Sequence, residues 1–272
     1  MSEYLNFWFS ILGVSQIIEL FTKSKIEIRF VGGCVRDALL GEKNSDIDFV
    51  VNCKPNIVCK ILLRNNVEFL EYGKKYGTIT AVINKKNFEI TSLREDKNPR
   101  GRYTDVVFTE DWYKDAQRRD FTFNAISMSY EGKIFDYFEG QRDLKLQQIK
   151  FIGNISERIK EDYLRIMRYF RFLGLFEKPI MITGYEKILN EQIPNLRKHA
   201  SNNRIREELI KMLKNNFKIN SLVSLTSMNK SNDLIKTIRE WWTEDKYELG
   251  LKTYINKIDK LVNNNEKSYF NK

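Results

Sequence analysis

Arg29-Phe-Val-Gly-Gly-Cys-Val-Arg-Asp37, followed a short way on by Ser45-Asp-Ile-Asp-Phe-Val-Val51, is the stretch on which the reading turns. Glu27–Val31 predicts a strand, Gly32-Gly33 a tight turn, and Cys34–Leu40 a short helix closed by Gly41. Asp46–Val51 predicts a second strand, on which Asp46 and Asp48 leave one face while Ile47 and Phe49 point to the other. Two hard oxygen ligands on one face suit Mg²⁺, which keeps waters and takes its other ligands from substrate phosphates. Alone, an Asp-x-Asp reads more readily as a turn-capping aspartate beside a solvated one, since such pairs are common at strand starts. The order strand, Gly-Gly, basic helix, acidic strand is harder to obtain by accident. Glycines let backbone N–H groups approach a phosphate, and a helix start adds partial positive charge there. Arg36, about one turn into the helix, is placed to clamp a triphosphate oxygen.

Outward from this stretch, short β-rich runs alternate with helical ones from about residue 26 to 136, which predicts a mixed α/β domain. Further strands are expected at Val67–Glu71, Thr78–Ile83 and Phe88–Ser92, and a helix at Pro55–Asn65 with proline near its start. Glu95–Tyr103, polar and carrying both Pro and Gly, reads as an exposed loop. Upstream, Phe7, Ile11, Val14, Ile18 and Phe21 recur at helical spacing, so Leu5–Phe21 is expected to be one amphipathic helix. After about residue 154 nearly every segment has helical period. The expected fold is α+β: a head over 1–150 built on a β-sheet, then an all-α region over 151–272.

Composition narrows the classes. A chain of 272 residues with 42% hydrophobic residues buries a real core and is not a disordered tail. Its formal charge of +10 favours a polyanionic partner such as RNA. The stretch Leu5–Phe21 is broken by Asn6, Ser10, Ser15, Gln16 and Glu19, short of the roughly 18 apolar residues of a membrane span. No basic n-region or cleavage site is seen, so no secretory signal and no membrane partner are expected. Cys34, Cys53 and Cys59 lack metal-ligand spacing and the single histidine, His199, completes no zinc site, which fits a reducing, cytoplasmic setting.

Gly32-Gly33-x-Val35-Arg36-Asp37, Leu39-Leu40-Gly41 and Asp46-x-Asp48 together resemble the first motif of class II tRNA nucleotidyltransferases and bacterial poly(A) polymerases, of the polymerase-β-like nucleotidyltransferase superfamily. The resemblance implies that the head is a nucleotidyltransferase domain. Asp46 and Asp48 would hold a two-metal Mg²⁺ site, and Gly33 and Arg36 would touch the incoming nucleotide. Arg118-Arg-Asp-x-x-x-Asn124-Ala resembles the second motif, which implies Arg119 on the phosphates or sugar and Asp120 and Asn124 near the ribose.

Glu161-Asp162-x-x-Arg165 by itself reads as a helical ion pair between Asp162 and Arg165. It also resembles the family's nucleotide-selecting motif, in which an aspartate and an arginine face the Watson–Crick edge, and the resemblance places Arg168 and Arg171 near the nucleotide too. Cytosine and adenine both present an exocyclic amine beside a ring-nitrogen acceptor, which a carboxylate and a guanidinium match. Uracil and guanine would leave both groups mismatched, at about 1–3 kcal/mol each. The implied reaction is addition of CCA to the 3′ end of tRNA from CTP and ATP with release of pyrophosphate. Its alternatives are CC-only or A-only addition, poly(A) synthesis, and a non-catalytic RNA-binding relative. Ser201–Leu209 resembles a helical segment that follows the selecting motif in the family, and Ser201 suffices there as an N-cap. Family members carry a longer helical part than the residues after 173 supply, and the oligomeric state stays open.

Overall fold

The computed structural model describes residues 2–100 and 103–228. The chain divides into two compact units, one of residues 1–145 with 150–153, the other of 146–149 with 154–272. The first is a mixed α/β head with a sheet, and the described residues of the second, up to 228, are mainly helical, as the periodicities indicate; the expected all-α region past 228 lies outside the described residues.

The head opens with α1 (Ser2–Ser10) and α2 (Val14–Lys23) in place of the one helix expected. Gly13 is the reason: its φ of 104° is left-handed, and a Cβ there would lie 2.7 Å from the Phe88 ring. Then follow β1 (Ile28–Val31), α3 (Gly33–Leu39), β2 (Asp48–Val51), α4 (Pro55–Arg64), β3 (Glu68–Leu70), β4 (Thr78–Ile83) and β5 (Lys86–Ser92). Next are β6 (Arg94–Arg100), β7 (Tyr103–Phe108), α5 (Trp112–Gln117), β8 (Ser127–Ser129), β9 (Ile134–Phe135) and α6 (Gly140–Lys145).

Seven strands form one sheet in the order β3-β4-β5-β2-β1-β8-β9, with β2 and β5 parallel and the other neighbours antiparallel. Alternation sorts its two faces. Phe30 and Phe49 pair across β1 and β2 and join Trp8 and Phe88 in a row of rings with centroids 4.6, 5.2 and 6.4 Å apart. This is the core face, closed by α2 and α4. Asp48, Val50, Arg29 and Glu89 therefore take the opposite face. There the buried Arg29 guanidinium stacks 3.6 Å from the Trp112 ring and 3.4 Å from Phe135 and pairs with Glu27 at 2.6 Å.

The expected loop at Glu95–Tyr103 is instead a two-stranded hairpin, β6 with β7, although residues 101 and 102 lie outside the described ones. Polarity misleads there because the charges are satisfied by neighbours. Glu95 pairs with Lys114 at 2.8 Å, Arg118 approaches Asp96 at 3.8 Å, and the ladder satisfies the backbone.

The helical unit contains α7 (Ile155–Glu161), α8 (Leu164–Leu173), α9 (Tyr185–His199), α10 (Asn202–Leu213) and α11 (Lys218–Met228). α8 is central: it packs against α9, α10 and α11, and its Ile166, Met167, Tyr169 and Phe170 are fully buried, as are Leu189 and Leu196 of α9, Ile205 and Met212 of α10, and Leu222 of α11. No single described helix is long and apolar enough to cross a membrane.

Candidate active site

Gly32 takes φ 75° and ψ −129°, a backbone open to glycine, and turns the chain from β1 into α3. A Cβ on it would lie 3.8 Å from an Arg119 Nη and 3.9 Å from Asp48 Oδ2, so a cation and a carboxylate flank this glycine. Gly33 begins α3 beside the Arg36 guanidinium.

Of the two acids, only Asp48 is on the strand. Asp46 precedes it, because the Asn44 side chain accepts the Asp46 N–H at 2.8 Å and donates to Asp37 at 2.7 Å, holding a bend there. The expectation that both leave one face of a strand is thus corrected, although the two carboxylates still repel. Burial, then Asp46, then Glu89 push the Asp48 carboxyl up to about 7, while Arg119 pulls it down. Glu89 is the acid the sequence reading missed: it lies on β5 in register with Asp48, and its only signal was a charge between Phe88 and Ile90 in an alternating strand.

No three His, Cys, Asp or Glu among the described residues form a group able to hold a metal unaided. A half-buried carboxylate with no hydrogen-bond donor among the described residues, crowded by two more acids, nevertheless fits a Mg²⁺ ion that completes its shell with water and phosphate.

Around the acids, the second arginine motif folds into a network. Arg36 binds Asp37 at 2.7 Å and donates to Asn124 Oδ1 at 3.1 Å, so it is anchored rather than a loose clamp. Asn124 donates to Asp120 at 3.0 Å, and both are buried, so this pair braces Arg36 from behind. Arg119 donates to the Asn124 carbonyl and pairs with Asp115 at 3.2 Å. Asp115, 3% exposed, also accepts from Arg118 Nε at 2.9 Å and from the Arg94 N–H, and those two arginines, with Arg119, hold its carboxyl below the usual range against burial. Its signal in sequence was an acid three and four residues before two adjacent arginines.

In the helical unit, the expected Asp162–Arg165 pairing does not occur. α7 ends at Glu161, Asp162 is extended at φ −151° and ψ 105°, and α8 starts at Leu164, so the two are not neighbours on one helix. Arg165 pairs with Glu161 at 2.5 Å, as does Arg158 at 2.6 Å. Asp162 pairs instead with Arg204 at 2.9 Å, and Arg171 with Glu208 at 3.0 Å. The Arg168 guanidinium lies 5.6 Å from the Phe172 ring. Arg204 and Glu208 belong to the segment read above as only structural. His199 stacks on Tyr163 with centroids 4.4 Å apart and takes no part in a metal cluster.

Residues 28–150 match the poly A polymerase head domain. Human CCA tRNA nucleotidyltransferase 1, mitochondrial, is 46% identical over 169 residues, covering 61% of this chain and 39% of that protein. The CCA-adding enzyme of Staphylococcus aureus (strain MRSA252) is 36% identical over 200 residues, covering 73% and 48%. The crystal structure of the Bacillus stearothermophilus CCA-adding enzyme in complex with CTP superposes with a TM-score of 0.68 at 31% identity, covering 77% of this chain and 50% of that one. The chain is similar to these CCA-adding enzymes through its head and the helices that follow, and spans half or less of these relatives' length.

Proposed function

We propose that the protein is a nucleotidyltransferase that adds C and A to the 3′ end of tRNA from CTP and ATP, releasing pyrophosphate. The observation that carries this is the pair Asp46 and Asp48 with Arg119 at the Gly32 turn, an acidic centre with a guanidinium at its edge. The names of the human and staphylococcal relatives agree with it.

Asp46 and Asp48, with Glu89 alongside, would hold Mg²⁺. When bound, the metal lowers the pKa of the attacking hydroxyl and offsets charge on the transition state and leaving group. Arg119, fixed by Asp115, and Arg36, fixed by Asp37 and Asn124, bind triphosphate oxygens without first having to order. In the helical unit Asp162 accepts from the exocyclic amine of cytosine or adenine and Arg165 donates to the adjacent ring nitrogen. The RNA 3′-oxygen bonds to the α-phosphorus as the bond to the bridging oxygen breaks, and no covalent enzyme intermediate is required. The excess of basic residues favours RNA held by phosphate contacts, with affinity falling steeply as salt rises. The compartment narrows to a reducing interior, since the human relative is named as mitochondrial and the three cysteines here are free.

The test is to incubate the protein with Mg²⁺ and tRNA transcripts ending before C, after C and after CC, with each NTP singly and together. Products that stop at CCA establish the reading. A stop at CC, or extension of CC-ended tRNA only, makes it a partial-function enzyme; long A tails make it a poly(A) polymerase, and no extension a binding protein.

A further inference from the structure

We infer that Arg204 is a positioning residue that fixes the Asp162 carboxylate, and is thereby a determinant of which bases the protein accepts. The inference rests on the proposed role of Asp162 in base selection. Asp162 lies between two helices with an extended backbone, so no helix face sets its side chain. One local and one distant partner orient it. Arg204 Nη2 donates to Oδ2 at 2.9 Å and Nη1 to Oδ1 at 3.4 Å, and the Leu164 N–H donates to Oδ1 at 3.2 Å. A two-pronged guanidinium fixes the plane of a carboxylate as well as its position, which a lysine point charge does not.

The acceptor count then favours specificity. An ionised carboxylate has about four lone-pair directions. Two taken by Arg204 and one by Leu164 leave one, enough for one exocyclic amine and set at a fixed angle. A base offering a carbonyl oxygen there meets an acceptor that cannot turn away. Arg165 does not compete for Asp162, because Glu161 at 2.5 Å and the Arg158 carbonyl at 2.8 Å hold it.

A second contact makes α10 more than an accidental neighbour. One helical turn after Arg204, the buried Glu208 pairs with Arg171 at 3.0 Å. Two opposite charges one turn apart on α10 thus pair with Asp162, just before α8, and with Arg171 near its end.

The test compares Arg204→Met, Arg204→Lys, Asp162→Ala and the double variant, measuring kcat and KM for CTP, ATP, UTP and GTP on tRNA primers, with thermal melting of each. Arg204→Met should raise KM for CTP and ATP about 10- to 100-fold and change kcat much less. Its preference for CTP over UTP should drop about tenfold or more, with part of the loss restored in Arg204→Lys. Because both residues act through one carboxylate, adding Arg204→Met to Asp162→Ala should cost little further preference. Full preference in Arg204→Met, or a loss shared equally by all four nucleotides, overturns the inference. Should Arg204→Met not fold, Arg204→Lys with undiminished preference and KM does so. If Asp162→Ala itself keeps the preference, the base-selection reading fails first. If Asp162→Ala loses it while Arg204→Met does not, only the inference about Arg204 fails.

Discussion

The head and the helical unit hold their functional charges in opposite ways. In the head, Asp48 is half-buried, crowded by Asp46 and Glu89 and raised to about 7. In the helical unit Asp162, Arg165 and Arg171 each have an ion-pair partner at 2.9, 2.5 and 3.0 Å. An uncompensated carboxylate cluster attracts a cation and is relieved by it. A compensated charge is relieved in advance, and what it offers is a directed donor or acceptor. The first arrangement suits a metal with triphosphate, the second a neutral base whose edge must be read by geometry.

The sharpest way to break this contrast is Asp48→Asn. It should lower nucleotide addition on the order of 10³-fold, while the metal-free protein melts no lower than the parent, because the amide removes repulsion instead of a bond. A loss of activity under tenfold would remove Asp48 from the centre, and a clear fall in melting temperature would mean that the acids are structurally paired after all.

Asp115→Ala tests a buried place where the head compensates its charges. Removing a carboxylate that is 4% exposed and binds both Arg118 and Arg119 should cost about 3–5 kcal/mol in urea unfolding, with a higher KM for CTP. A cost under about 1 kcal/mol would show that the arginines find other partners.

Gly140→Ala probes the support beneath the arginine motif. A Cβ there would stand 2.5 Å from the Thr122 carbonyl oxygen and 2.8 Å from the Phe123 Cα, and Asp143 of the same helix accepts from the Thr122 hydroxyl at 2.6 Å. The overpacked variant should lose about 1–3 kcal/mol and bind nucleotide more weakly; parental stability would mean that α6 yields freely.

The smallest effect is expected at Cys34, buried under the Gly-Gly turn, where desolvation raises the thiol to about 12. An alkylating reagent at pH 8 should leave it unmodified until the protein is unfolded, as read by mass spectrometry of the Cys34 peptide. Labelling of the native protein would show that the turn opens.

Much of this was legible before any coordinates. The β1–α3–β2 passage carried its signal locally, since strand alternation, a glycine pair and a short apolar helix are written in adjacent residues. β4 was read to the residue because Ile79, Ala81 and Ile83 alternate with Thr78, Thr80 and Val82. The β6–β7 hairpin was not legible: a run such as Glu95-Asp-Lys-Asn-Pro becomes a strand only when a partner strand and α5 satisfy it. The break at Asp162 was hidden because Glu161-Asp-Tyr-Leu-Arg-Ile keeps helical periodicity straight through the bend.

By itself, then, the sequence determined which side chains are on offer: the Asp46 and Asp48 pair, the adjacent arginines Arg118 and Arg119, Asp162 with Arg165, and a head followed by helices, because these depend on residue type and spacing along one chain. Only the tertiary structure decided which charge meets which. Glu89 beside Asp48, and Arg204 on Asp162, the last pair 42 residues apart, are contacts between elements. An ion pair is chosen by distance and burial in space, and sequence spacing fixes those only within a single helix or strand.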